Sequence, residues 1–167
     1  MLHEQIATAL NEQIKLEAQS SHTYLAMAVW AETNGFDGTA TFLYTHAEEE
    51  RMHMLKLMQF VNERGGVANV PALKAPVETY DGVEAIFRSI LDHETSVTAS
   101  INSVVDQCLS IKDYTTYNFM QWYVAEQIEE ESMARRILDK LALAGGDRGA
   151  LYLFDRDIVG LGKESAN

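Results

Sequence analysis

His46-Ala47-Glu48-Glu49-Glu50-Arg51-Met52-His53 is the stretch whose reading decides the fold. It lies inside a segment with Phe42, His46, Glu49/Glu50, His53, Leu57 and Phe60 on one helical stripe. Glu50 and His53 stand one turn apart on that stripe, so a carboxylate and an imidazole share a face built for hydrocarbon. Three more glutamates interrupt apolar stripes in the same way. Glu17 follows Ile6, Leu10 and Ile14 and precedes Tyr24, Ala28 and Ala31. Glu94 sits in Val83, Phe87, Ile90, Val97, Ile101, Val104 and Cys108, and Glu130 in Phe119, Tyr123, Glu126, Ile137 and Leu141. A single such glutamate is ordinarily a bundle-edge residue with its carboxylate in water. Four at matching depth are different, because a buried, unpaired carboxylate costs several kcal/mol and a shared cation removes that cost. The pattern predicts a metal site inside an all-α bundle.

Punctuation along the chain sets the helices at about 3–33, 38–64, 82–111, 114–144 and 148–160, within one domain spanning 1–167. Asn34-Gly35, Gly65-Gly66 and Gly145-Gly146 are the stops. Asp37, the Asp81-Gly82-Val83-Glu84 stretch and Asp113 read as N-terminal caps. Short turns at 34–37 and 112–113 make helices one and two, and three and four, antiparallel neighbours. The link Gly66–Tyr80 is longer. It reaches about 50 Å at ~3.3 Å per residue, and helix two is roughly 40 Å long at ~1.5 Å per residue. The link can therefore cross the whole bundle and start helix three parallel to helix two. The expected fold is a four-helix bundle with one long crossover and a short fifth helix. That fifth helix, Ala150 to Val159, is too apolar to lie free in water and must pack on the bundle or on other subunits.

A net charge of −12 with no basic patch argues against nucleic acid as a partner; such a surface would concentrate cations or serve solubility alone, and charge by itself does not choose. Cys108 is the single cysteine, which excludes an internal disulfide and any multi-cysteine metal site within the chain; on an apolar stripe it reads as packing. No apolar run approaches the ~20 residues of a membrane span, and the start Met-Leu-His-Glu-Gln has no signal-peptide character. No membrane association and a cytoplasmic location are the expectations.

Imidazole and carboxylate ligands with open positions suit iron or manganese better than a closed zinc site. Glu50 and His53 form the Glu-x-x-His unit that recurs in di-iron carboxylate bundles, where facing helices add glutamates, here Glu17, Glu94 and Glu130. Two cations at about 3.5–4 Å could share Glu50 as a bridge. Glu49, Glu126 and Glu129 lie beside these positions and could form an accessory cation site, whereas Glu48 and Glu131 read as a solvated face. Tyr24, two turns after Glu17, could hydrogen-bond a ligand or give an electron to an oxidised intermediate, with plain aromatic packing as the alternative.

The chain resembles the ferritin family, and within it the non-haem bacterial ferritins. The resemblance rests on Leu10-Asn-Glu-Gln-Ile-Lys-Leu-Glu17, on His46 to His53, on Asn118-Phe-Met-Gln-Trp-Tyr-Val-Ala-Glu-Gln-Ile-Glu-Glu-Glu131, and on Gly149-Ala-Leu-Tyr-Leu-Phe-Asp155. It implies a first ferroxidase iron on Glu17, Glu50 and His53, and a second on Glu50, Glu94 and Glu130. It also implies a third iron on Glu49, Glu126, Glu129 and Glu130, with Gln127 and Tyr24 beside the pair. Oxidation of Fe(II) by O2 or H2O2 and storage of ferric oxyhydroxide in a 24-subunit cage would follow. The haem-ligating methionine of bacterioferritin, which directly follows the bridging glutamate, aligns with Arg51, so no haem is expected; Met52 is out of register and reads as packing. The second Glu-x-x-His unit of bacterioferritin is replaced by Gln127-Ile128-Glu129-Glu130. A peroxidase of rubrerythrin type is the alternative enzyme, although that family usually adds a four-cysteine module. A non-catalytic cation-binding cage is the alternative outside enzymes.

Overall fold

The computed structural model describes residues 1–161. Five helices follow in order: α1 (Glu4–Thr33), α2 (Asp37–Glu63), α3 (Val83–Ser110), α4 (Tyr114–Ala144) and α5 (Arg148–Leu161). The chain directions follow from a few cross-links. The Leu2 amide donates to the Arg64 carbonyl at 3.0 Å, bringing the end of α2 back to the start of α1. Gln5 donates to Gln107 and Ser100 to Gln13, while Tyr24 reaches Glu94, so α3 runs antiparallel to α1 and therefore parallel to α2.

The link between α2 and α3 climbs the side of α1. Asn11 bonds the backbone of Val67 and Asn69, Gln19 bonds both the amide and the carbonyl of Lys74, and Trp30 meets Tyr80 edge-on at 6.0 Å. Paired amide side chains thus satisfy loop backbone that has no partner strand or helix. The full-length crossover expected from chain reach is present.

Two helix starts differ from the sequence reading. Asp37 is the first helical residue of α2, and Phe36 before it supplies no side-chain cap. The cap comes from α5: Asp155 accepts from the Gly38 amide at 2.9 Å and from the Thr39 amide and hydroxyl at 2.8 and 2.7 Å. A carboxylate on the free amides of a helix N-terminus meets both their hydrogen-bonding need and the helix dipole. At α3 the cap position is Gly82, at φ 96°, with no side-chain bond, so the Asp81–Glu84 capping box is not formed. Asp113 does cap α4, through Thr116.

Asp155 fits because residue 38 has no side chain. A Cβ there would stand 1.8 Å from the Asp155 carbonyl oxygen. Gly38→Ala is therefore expected to cost about 1–3 kcal/mol and to loosen α5, whose Phe154 and Ile158 are its buried anchors. Limited proteolysis of the 145–147 turn should run faster in the variant, and equal rates would sink the idea.

Among the described residues the apolar interior divides into two clusters. One gathers Tyr24, Phe42, Ile90, Met133 and their neighbours near the α5 end. The other gathers Ile14, Leu57, Val97, Tyr123 and theirs at the opposite end. Glu17, Glu50, Glu94 and Glu130 fall between the two on their respective helices, and all four are buried. Cys108 packs in the second cluster, its thiol pushed up by burial to about 11, which makes it a poor nucleophile at neutral pH. No helix of the described residues is long and apolar enough to cross a membrane.

Candidate metal centre

Each of the four long helices contributes one acid to the layer because each stripe carries it at the same height. In α1, Glu17 is fully buried, and its Oε1 accepts from Gln13 at 2.6 Å while Oε2 has no partner. In α2, Glu50 faces the same space, with Oε2 3.4 Å from His53 Nδ1; Glu17 Oε2 lies 3.9 Å from that nitrogen. Ligand atoms of Glu17, Glu50 and His53 lie within 4.8 Å of one another, close enough for one cation. These are the residues that the resemblance assigns to a first metal.

The second and third expected sets are arranged differently. Glu94 accepts from the Tyr24 hydroxyl and from Gln127 Nε2 at 3.1 Å, and it belongs to neither three-residue group. The second group is His46, Glu49 and Glu130, again with ligand atoms within 4.8 Å. Glu126 points instead toward His53, 4.0 Å from Nε2, and Glu129 is exposed. Gln127 presents its amide nitrogen to Glu94 and Thr98, so in this arrangement it is a donor to a carboxylate. Met52 is not packed; it is 59% exposed.

His46 stands on the inward stripe, but residue type alone does not distinguish a ligand from a packed histidine. Its surroundings show which ring nitrogen is left open. Nδ1 is 3.0 Å from the Phe42 carbonyl, the ring stacks on Phe42 at 4.0 Å, and Nε2 is 3.6 Å from Glu49. A carbonyl can only accept, so Nδ1 carries the proton and Nε2 keeps a lone pair turned toward two carboxylates. Burial lowers the basicity of His46, which favours the neutral ring that binds metal. Trp122 also goes unread in the sequence as a neighbour of the site. It stacks on Tyr123 at 4.5 Å and lies 5.5 Å from the His53 ring, with the Lys56 ammonium 3.4 Å above it.

The acids strain one another. Burial raises the Glu17, Glu50 and Glu130 carboxyls well above their ordinary range, and a neighbouring carboxylate raises each further: Glu50 acts on Glu17, and Glu94 on Glu50 and Glu130. Burial and then Glu94 raise the Tyr24 phenol, so it stays protonated and donates. Only protons or cations resolve such a cluster at neutral pH.

A four-helix bundle with an acid-rich, imidazole-bearing layer between two apolar cores is the architecture of the metal-binding carboxylate bundles. Residues 7–144 match the model of the ferritin-like domain, and the chain belongs to the ferritin family. It is 43% identical over 161 residues to the "Probable bacterial non-heme ferritin-like protein" of Haemophilus influenzae, covering 96% of this chain and 98% of that one. It is 40% identical over 158 residues to a bacterial non-heme ferritin of Campylobacter jejuni, covering 95% of each. An open pore ferritin from Archaeoglobus fulgidus superposes with a TM-score of 0.93 at 39% identity, over 95% of this chain and 98% of that one.

Proposed function

We propose that the protein is an iron-storage ferroxidase: it takes Fe(II) as substrate, oxidises it in pairs with O2 or H2O2, and holds the product as ferric oxyhydroxide inside a cage of its own copies. The observation that carries this reading is the layer of four buried glutamates, one from each long helix, with His53 beside them. Glu17, Glu50 and His53 would hold one Fe(II). Glu50 would bridge to a second, held with Glu94 and Glu130. Two Fe(II) then give one electron each to O2, which takes two protons and leaves as H2O2. Anionic oxygen ligands stabilise the trivalent ion more than the divalent one and so favour the oxidation.

Product release has a direction. Glu17 and Glu94 are sealed, whereas Glu49 and Glu126, on α2 and α4, have side chains 45% and 40% exposed. His46, Glu49 and Glu130 would form the accessory site on this open side, with Glu126 and Glu129 flanking it. Assembly is supported by apolar surface at the α4–α5 corner, where Leu143 and Tyr152 are 88% and 72% exposed beside Leu153. Further copies of the chain, 24 in the family's closed cage, would cover it.

Anaerobic calorimetry tests the reading: two tight Fe(II) sites per chain and one weaker site are expected. Absence of any stoichiometric site would leave only a passive acidic shell.

A further inference from the structure

We infer that Ser100 and Gln13 form a positioning device that fixes the direction in which Glu17 presents its metal-binding oxygen. Gln13 lies one turn before Glu17 on the buried face of α1 and is fully buried. Both ends of its amide are engaged. The nitrogen donates to Glu17 Oε1 at 2.6 Å, and the oxygen accepts from the Ser100 hydroxyl of α3 at 2.7 Å. The amide sense follows from the chemistry, since an amide oxygen turned to a carboxylate would set two acceptors against each other.

This arrangement divides the labour between the two oxygens of Glu17. Oε1 is tied to a neutral donor. Oε2 makes no hydrogen bond and lies on the His53 side, 3.9 Å from Nδ1, with Glu50 and the Tyr123 hydroxyl also beside this carboxylate. A glutamate side chain has three rotatable bonds, and a carboxylate free to turn could chelate one ion or swing away. Held by one oxygen, it offers a single ligand atom in a single direction. Outer partners of this kind orient metal ligands and tune their affinity. Ser100 acts one step further out, by fixing which way the amide faces, and it joins α1 to α3 at the level of the site. Neither residue touches the metal position, so both are positioning residues.

The inference rests on the reading of Glu17, Glu50 and His53 as a metal site, and the test separates the two. Crystals of the assembled protein are equilibrated with graded Zn(II), and occupancy at each group is refined from anomalous scattering. Gln13→Leu, which keeps the volume, should raise the Zn(II) concentration for half-occupancy at Glu17–Glu50–His53 by about 10–100-fold. Occupancy at His46–Glu49–Glu130 should be unchanged. Ser100→Ala, a small change at a half-buried hydroxyl, should raise the same value by roughly tenfold, whereas Ser100→Thr keeps the hydroxyl and should restore wild-type binding. Unchanged occupancy in both Gln13→Leu and Ser100→Ala overturns the inference, as does equal weakening of both groups, which would mark a general loss of packing. Wild-type protein that takes no Zn(II) at Glu17–Glu50–His53 overturns the metal-site reading itself, and the positioning role with it.

Discussion

Replacing Glu50 and Glu130 together with alanine is expected to reduce rapid Fe(II) oxidation to the rate in protein-free buffer. The loss should exceed the ~100-fold upper range for residues that only orient a ligand, because the change removes the proposed ligands themselves. Among the described residues, Glu50 lies with His53 and Glu17 and is also raised by both Glu94 and Glu130. It is therefore placed to join the Glu17–His53 group to the acids of α3 and α4. Without it, two Fe(II) ions are no longer held close enough to deliver two electrons to one O2, and oxidation falls back to single encounters. Stopped-flow mixing of Fe(II) with O2, followed by ferric absorbance, reads this directly. Equal rates in wild type and variant would remove the ferroxidase reading while leaving the bundle intact. Intermediate loss in Glu130→Ala alone would fit its position at the open side, shared with His46 and Glu49.

What the sequence reveals about this site follows from periodicity. Glu17, Glu94 and the Glu50–His53 pair are legible because a charged residue on a strict apolar stripe has few reasons to be there. On α4 the periodicity alone puts Phe119 and Glu126 inward. The buried face is Met120, Tyr123, Gln127, Glu130 and Met133, leaving Phe119 and Glu126 at its edge. One residue is about 100° of rotation, so an edge residue and a core residue are easily exchanged. The α2 cap was not legible for another reason. Its carboxylate, Asp155, is 116 residues away from Thr39, and local capping rules see only neighbours. His46 is visible as an inward position and Gln13 is off the apolar stripe, and the chemistry of each depends on a partner, the Phe42 carbonyl and Ser100. Gln13 did leave one signal, a polar residue four before Glu17 on the same face. The crossover was legible because chain length alone bounded it.

The carboxylate layer proposed to bind metal should also be the weak point of the metal-free fold. Glu17, Glu50 and Glu130 each have a folded-state pKa raised above the ordinary 4.5, with burial the largest cause. Below about pH 4.5 both folded and unfolded chains hold these protons, and the full contribution to stability is present. As pH rises, the unfolded chain releases its protons first, and stability is lost until the raised folded values are passed. For one such group the loss is about 1.4 kcal/mol for each unit its pKa is raised. In a chain of this size that is roughly 3 °C of melting temperature per kcal/mol. Metal-free protein should therefore melt at a higher temperature near about pH 5 than near about pH 8. A divalent cation at ~100 times its dissociation constant should restore about 2.7 kcal/mol at the higher pH. The Glu50→Gln/Glu130→Gln variant keeps the shape but cannot ionise. Without metal it should melt higher than wild type near about pH 8, with a flatter pH profile and little response to metal. Stability rising with pH in the metal-free wild type would mean that the four acids are already compensated within the protein. The cation would then lose its structural necessity. The opposite slope ties the two properties together, because the charge repulsion that destabilises the metal-free bundle is what draws in the metal.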